Sequence, residues 1–147
     1  MERIALFPGS FNPFTKGHES IVSRSLSIFD KIIIAIGVNG DKNIEFIDKR
    51  MDSIRQLYID NPRVIVVNYE TLTADVVKKY NANCIIRGIR NGKDLEYETN
   101  IAEVNYSFFG VETIFMLSEP NLKKVSSSIV RELQKYGKDV SSYLPNK

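Results

Sequence analysis

The sequence predicts an α/β protein, a single domain in which a doubly wound, five-stranded parallel sheet carries helices on both faces. Three observations support this prediction: short apolar runs alternate with longer amphipathic segments, the runs are rich in Ile and Val, and Gly, Pro, Asn or Asp bounds each run. Runs of about 4–8 such residues are typical of buried parallel strands. Strict alternation with helices indicates crossover connections within one sheet. The predicted domain spans residues 1–147.

The five apolar runs are the predicted strands, and the five amphipathic segments are the predicted helices. The strands are expected at 3–8, 31–38, 63–69, 83–89 and 111–117. The helices are expected at 16–29, 48–61, 73–81, 94–109 and 126–137. Three of the helices have a short polar residue at the start that can cap them, namely Asp48, Thr73, and Ser126 or Ser127. The tail, 140–147, is expected to add a short helical turn.

Composition is that of an ordinary globular protein, with 43% hydrophobic and 26% charged residues. The net charge of +2 is too small an excess to favour nucleic-acid binding, so anionic partners are expected to be small. Neither a signal peptide nor an apolar stretch near the roughly 18 residues of a transmembrane helix is visible. A cytoplasmic location without a membrane partner is therefore expected.

The single cysteine, Cys84, lies in an apolar run and is expected to be buried.

The loops that follow the strands are the expected place for the chemistry, because ligands of doubly wound sheets bind beyond the carboxyl ends of the strands. The first of these loops contains "GSFNPFTKGH", Gly9 to His18, with the only histidine of the chain. Backbone N–H groups of a turn at Gly9 can face an anion. His18 falls in the first turn of the next predicted helix, where the dipole favours negative charge and an imidazole can donate to phosphate oxygens.

Two further segments join this loop in a recognisable order: "RGIRNGKDLEYE", 87–98, and "KVSSSIVRE", 124–132. Together with "GSFNPFTKGH", which matches a G-[ST]-F-[DN]-P turn and a T-x-G-H box, they make essentially the whole chain resemble bacterial phosphopantetheine adenylyltransferases. The resemblance implies a Rossmann-like nucleotidyltransferase fold. It also implies reversible transfer of an adenylyl group from ATP to 4'-phosphopantetheine, giving dephospho-coenzyme A and pyrophosphate in coenzyme A biosynthesis. Asn12 stands where this family often has Asp, and Ser10 where Thr is common.

The same resemblance implies a role for individual residues. His18 would stabilise the α-phosphate of ATP in the transition state and is the implied catalytic residue. The implied ATP-binding residues are Ser10, Phe11, His18, Gly88, Ile89, Arg90, Glu98, Leu122, Lys123, Lys124, Val125, Ser126, Ser127 and Ser128. The implied phosphopantetheine-binding residues are Ser10, Lys42, Thr73 and Arg87. Mg²⁺ bound mainly through the ATP phosphates, no metal ligand from the protein, and a homohexamer are implied as well.

Adenylyl transfer fits the residue types present, because the attacking phosphate oxygen is already an anion. The reaction therefore needs alignment and charge stabilisation rather than a general base. Arg87 and Arg90 can form a phosphate-binding fork, although the alternative is that acidic residues at 94, 96 or 98 pair with them. For the implied hexamer, no long apolar stripe is left over once the core is assigned, so the sequence itself offers no assembly surface.

Two other functions remain open at this stage. The first is an adenylyl- or cytidylyltransferase that acts on another small phosphorylated acceptor, such as nicotinamide mononucleotide, since the T-x-G-H box is common to these enzymes. The triple serine at 126–128 and the segment at 87–98 favour phosphopantetheine. The second is a noncatalytic nucleotide-binding sensor on the same fold. The joint presence of His18, Lys42, Arg87 and Arg90 argues against a sensor.

Overall fold

The computed structural model describes residues 1–38 and 44–146. Over these residues the strands are β1 (Ile4–Gly9), β2 (Lys31–Gly37), β3 (Val64–Tyr69), β4 (Cys84–Ile89) and β5 (Thr113–Leu117). The α-helices are α1 (Lys16–Ser25), α2 (Ile44–Leu57), α3 (Thr73–Lys79), α4 (Gly92–Phe109) and α5 (Ser127–Lys135). Short 3₁₀ turns lie at Pro120–Leu122 and Ser141–Tyr143, the second in the tail where a helical turn was expected.

All strand pairs are parallel, and the strand order is β3-β2-β1-β4-β5. β1 lies at the centre, where Ala5 is paired with Ile32 on one side and with Cys84 on the other. The chain leaves β1 towards β2 and later enters β4 on the opposite side, so the connections diverge between β1 and β4. In a doubly wound sheet this switch point is where a ligand cleft opens. The predicted fold class is confirmed.

Helices cover both faces of the sheet, as alternating strand side chains require. On one face, α1 and α2 bury Ile21, Val22, Ile47, Met51 and Ile54 against Phe7 and Ala5 of β1. On the other face, Ala74, Val76 and Val77 of α3 pack with Ile4 and Leu6 of β1. Phe109, at the end of α4, packs against this second cluster. β1 therefore contributes side chains to the core on both faces of the sheet.

Two of the predicted helix caps are wrong. α2 begins at Ile44, and Asp48 lies inside it, because the buried stripe already includes Ile47 one residue before the predicted cap. Thr73 is the first residue of α3, with Leu72 at the cap position, and its hydroxyl pairs with the Tyr69 hydroxyl at 3.0 Å instead. Ser126 caps α5 as predicted, since its side chain accepts from Ile129 N at 3.2 Å.

Two smaller features concern burial and membranes. Cys84 is buried and free, as predicted, and burial together with the nearby Glu112 carboxylate raises the pKa of its thiol to about 11. Among the helices that the structure describes, none combines the length and the apolar character needed to cross a membrane.

Candidate active site

A cavity of about 250 Å³ opens at the carboxyl ends of β1 and β4, at the switch point of the sheet. Four segments line it: the turn after β1 with the start of α1, the end of β4, Asp94 and Glu98 of α4, and the segment 118–128. All of them lie at or beyond the carboxyl end of a strand, as the loop argument predicts. The sheet thereby brings the "GSFNPFTKGH" turn together with the triple serine.

The turn after β1 is tightly folded around an aromatic ring. Phe11 has a φ of 47°, in the left-handed region that non-glycine residues rarely adopt. Its ring is 2% exposed and packs over Gly9, where a Cβ would lie 3.0 Å from the Phe11 Cζ. Glycine is therefore favoured at position 9, because a side chain there would press against the ring of Phe11.

His18 is fixed in one orientation by the residue that starts its helix. Thr15 caps α1, and its backbone N–H donates to His18 Nδ1 at 2.9 Å, while His18 N donates to the Thr15 hydroxyl at 3.4 Å. Because Nδ1 accepts a hydrogen bond, the proton of the neutral ring lies on Nε2. The imidazole therefore enters the cavity as a hydrogen-bond donor.

The surroundings of His18 keep it uncharged. Phe7, Phe11 and Phe14 enclose the imidazole, with ring centroids 6.1, 5.0 and 5.4 Å from that of His18. Burial lowers the pKa of His18 to about 3, and the positive charges of Arg87 and Arg90 add to the effect. A neutral ring at physiological pH is the consequence.

Arg87, in β4, points into the cavity and is held on two sides. Its Nε and Nη2 donate to the two carboxylate oxygens of Glu98 at 2.9 and 2.7 Å, and its Nη1 donates to the Pro8 carbonyl. Glu98 is only 6% exposed. Such a two-pronged pair fixes the plane of the guanidinium. The acidic pairing considered from the sequence is therefore present, and it positions Arg87 at the cavity wall.

Arg90 is paired in a similar way at the end of β4. Its Nε donates to Asp94 Oδ2 at 2.9 Å and its Nη2 to Asp94 Oδ1 at 3.2 Å. Burial acts to raise the pKa of Asp94, but the hydrogen bonds and charge of Arg90 hold it below its usual value. Both predicted arginines thus carry a carboxylate partner and still line the cavity.

A second cavity, of about 340 Å³, adjoins the first and shares Gly9, Arg87 and Glu98 with it. Thr73 lies in this second cavity, together with apolar or aromatic side chains of α4 such as Tyr97 and Ile101. The Arg87–Glu98 pair therefore stands between the two cavities. An arginine at this junction suits a ligand whose phosphate lies between them.

Most of the residues implied by the resemblance line the first cavity: Ser10, Phe11, His18, Arg87, Gly88, Arg90, Glu98, Leu122, Val125, Ser126, Ser127 and Ser128. Three do not. Ile89 is 4% exposed and belongs to the core, and Lys123 and Lys124 are exposed and absent from the cavity lining. Lys42 lies outside the described residues.

Sequence reasoning missed Thr15 and Ser118. Thr15 was seen only as part of the T-x-G-H box, whereas it caps α1 and sets the tautomer of His18. Ser118 follows β5 and lines the cavity, and within the described part of the chain its buried hydroxyl has no hydrogen-bond partner. Its place directly after a predicted strand was the available signal. A buried hydroxyl without a partner fits a polar ligand group, which would satisfy it.

The described residues do not form a metal site of their own. Within 1–38 and 44–146, no group of three or more His, Cys, Asp or Glu side chains is arranged to hold a metal ion. The two carboxylates that line the cavity, Asp94 and Glu98, are occupied by arginines. A divalent cation at this site would therefore depend on ligands from a substrate.

Comparison with known proteins agrees with this geometry. The model of the cytidylyltransferase-like family matches residues 6–133. The fold and the site thus define a nucleotidyltransferase. A solved structure of a putative nicotinate-nucleotide adenylyltransferase from Vibrio parahaemolyticus is similar, with a TM-score of 0.64 and 22% identity, over 99% of this chain and 95% of that one.

Curated relatives narrow the class. A phosphopantetheine adenylyltransferase of Bacteroides thetaiotaomicron is 52% identical over 144 residues, 97% of this chain and 95% of the relative. One from Cytophaga hutchinsonii is 48% identical over 149 residues, covering 100% of this chain and 99% of the relative. The chain belongs to the phosphopantetheine adenylyltransferase family.

Proposed function

We propose that this protein transfers the adenylyl group of ATP to 4'-phosphopantetheine and releases pyrophosphate, producing dephospho-coenzyme A in the cytoplasm. The observation that carries the proposal is the neutral, donor-oriented His18, which stands between the turn after β1 and the triple serine at the start of α5. Membership of the family supports the choice of substrates.

The chemistry is a displacement at the α-phosphorus of ATP. A phosphate oxygen of the acceptor forms the new P–O bond, and the bond from the α-phosphorus to the oxygen bridging the β-phosphorus breaks, so that pyrophosphate leaves with that electron pair. Negative charge develops on the non-bridging oxygens, where positioned donors lower the barrier. His18 Nε2–H is such a donor. It is a poor general base, because its pKa is about 3 and its Nδ1 already accepts from Thr15.

We assign one substrate to each of the two cavities. The polar cavity offers the backbone of Ser10 and Phe11, the Arg90 guanidinium and the α5 N-terminus with its serines, all suited to phosphates. The second cavity, with Thr73, Tyr97 and Ile101, suits the pantetheine arm. Arg87, at the junction, would bind the acceptor phosphate, and Lys42 is proposed to join it.

Magnesium is proposed to enter with ATP, held by phosphate oxygens and water, since carboxylates able to collect around it are absent from the described residues. When bound, it would neutralise charge on the departing pyrophosphate.

A homohexamer is proposed as the assembled form. α4 supports it, since four of its apolar side chains are exposed along one stripe: Tyr97 at 65%, Ile101 at 41%, Val104 at 51% and Phe108 at 76%. Exposed apolar surface of this extent on one helix is typical of a protein–protein interface. This stripe also corrects the expectation that no apolar stripe is left over after the core is assigned.

The test is pyrophosphate release by the purified protein with ATP and Mg²⁺, comparing 4'-phosphopantetheine with nicotinamide mononucleotide. Release with phosphopantetheine alone is expected, and loss of one transition-state donor in His18→Ala is expected to lower kcat by about 100-fold. Lys138→Gln, an exposed change outside the cavity, serves as the matched control. Release with the mononucleotide alone would mean that the acceptor is a mononucleotide and not phosphopantetheine. ATP binding without release would favour a noncatalytic nucleotide-binding sensor.

A further inference from the structure

The turn between β1 and α1 is fastened from outside by three side chains. Arg50 of α2 donates from Nη1 to the Ser10 carbonyl at 3.1 Å, and Arg131 of α5 donates from Nη1 to the Asn12 carbonyl at 2.7 Å. Ser127 Oγ donates to the Pro13 carbonyl at 2.7 Å. Three of the four carbonyls between positions 10 and 13 are therefore held by residues of other elements.

The conformation of this turn needs such support. Phe11 adopts a φ of 47°, which is unfavourable for a side chain with a Cβ. Strained positions of this kind persist only where the surrounding structure holds them. The two arginines supply contacts from α2 and α5, on either side of the turn, and each donates from a charged group, which makes the hydrogen bond stronger than a neutral one.

The direction of the bonds also bears on the cavity. In a planar trans peptide the carbonyl and the next N–H point in opposite directions. Because Arg50 draws the Ser10 carbonyl towards α2, the Phe11 N–H is turned the other way, and both residues line the polar cavity. Arg131 also reaches Ser128 Oγ at 3.4 Å, so it touches the turn and the serine segment together.

We infer that Arg50 and Arg131 are positioning residues for adenylyl transfer, which hold the Ser10–Phe11 backbone so that its N–H groups meet the oxygens of the α-phosphate. The inference rests on the proposed function for its kinetic consequence. Neither arginine needs to touch ATP in this role. Arg131 lies on the exposed side of α5, so its replacement removes the bond to the turn with little effect on the core.

The test compares Arg131→Met, which keeps the aliphatic stem, with Arg131→Lys, which keeps a donor and the charge. Arg55→Met is the matched control, since Arg55 is an exposed arginine that likewise donates to a backbone carbonyl, that of Val66, away from the cavity. In Arg131→Met the turn is no longer held, so its backbone N–H donors are displaced from the α-phosphate. We expect kcat to fall about tenfold and the KM for ATP to change by less than about threefold. Arg131→Lys should restore most of kcat, and Arg55→Met should match the parent protein.

A second readout needs no activity. Amide hydrogen exchange of the Gly9–Phe14 peptide, measured by mass spectrometry, should become faster in Arg131→Met and remain unchanged in Arg55→Met. Unchanged exchange together with unchanged kcat would overturn the inference. A raised KM for ATP that depends strongly on salt, with unchanged exchange, would also overturn it and make Arg131 an electrostatic contact of the nucleotide. If the parent protein failed to transfer adenylyl groups at all, the proposed function would fail, while the exchange comparison would still decide whether Arg131 holds the turn.

Discussion

Arg87 and Glu98 meet in a two-pronged ion pair at the wall shared by the two cavities, with N–O distances of 2.9 and 2.7 Å. A third hydrogen bond, to the Pro8 carbonyl, joins Arg87 to the end of β1. A guanidinium has five N–H donors. Three of them are used by the protein, which leaves two for an incoming phosphate and fixes the direction from which it can bind.

Replacing Glu98 by Gln is expected to lower the free energy of unfolding by about 2 kcal/mol, because Arg87 loses its charged partner in a partly buried place. This value lies below that of a fully buried pair, since the Arg87 side chain is 31% exposed, against 8% for Glu98. The KM for the acceptor should rise as well, because the guanidinium is no longer held in one plane. Urea unfolding and steady-state kinetics measure the two effects.

Glu96→Gln is the matched control for this change, being the same substitution on an exposed position of α4. It should leave stability and KM close to those of the parent protein. Equal effects of the two substitutions would show that the Arg87–Glu98 pair contributes neither stability nor acceptor binding.

The lowered pKa of His18 predicts how stability depends on pH. The folded state keeps the ring neutral down to about pH 3, whereas in the unfolded chain the ring takes up a proton near its ordinary pKa of 6.5. Between these values the unfolded state binds more protons, so stability falls as the pH is lowered. The parent protein should therefore lose stability more steeply than His18→Gln from pH 7 towards pH 4, by at most about 1.4 kcal/mol per pH unit.

Urea unfolding of both proteins at several pH values measures this difference, and the carboxylates common to both cancel in the comparison. Parallel curves would mean that the imidazole titrates alike in the folded and unfolded states. The burial by the three phenylalanines would then not determine the charge of His18.

The apolar stripe of α4 predicts the effect of a charge on assembly. Phe108→Lys places a cation on the most exposed of its four side chains, which is 76% exposed, and is expected to reduce the mass of the particle in solution. Ile59→Lys is the control, because Ile59 is a similarly exposed apolar residue, at 69%, just beyond the end of α2. Light scattering after size-exclusion chromatography gives the mass. An unchanged mass for Phe108→Lys would remove this stripe from the interface.

The sheet could be predicted from sequence because each strand is built around an apolar run, and β1 and β2 are buried over nearly their whole length. The helix starts were harder. Asp48 is a good capping residue, but burial of Ile47 extends α2 beyond it, so that packing overrode the local preference. Thr73 failed as a cap because the Tyr69 hydroxyl, brought near by the β3–α3 connection, takes its side chain.

The site could be predicted where a motif follows a strand, as at His18 and Ser126, both of which line the cavity. Motif positions did not distinguish residues that face the cavity from their neighbours. The Ile89 side chain lies in the core, and Lys123 is exposed to solvent. The pairing of Arg87 with Glu98 was one of several possibilities in the sequence, and only the packing of α4 on β4 chooses between them. The sequence does not single out the α4 stripe, because apolar residues occur on all sides of that helix rather than on one.

The bonds from Ser127 to Pro13 and from Arg131 to Asn12 join residues separated by 114 and 119 positions in the chain. During synthesis the "GSFNPFTKGH" segment therefore leaves the ribosome long before its partners on α5 exist. Until the last helix emerges, nothing from α5 can hold the Asn12 and Pro13 carbonyls, and the serines that complete the cavity are missing. A chain that stops before α5 contains all five strands but lacks the serines that line the cavity, so the nucleotide site is completed only once α5 has been synthesised.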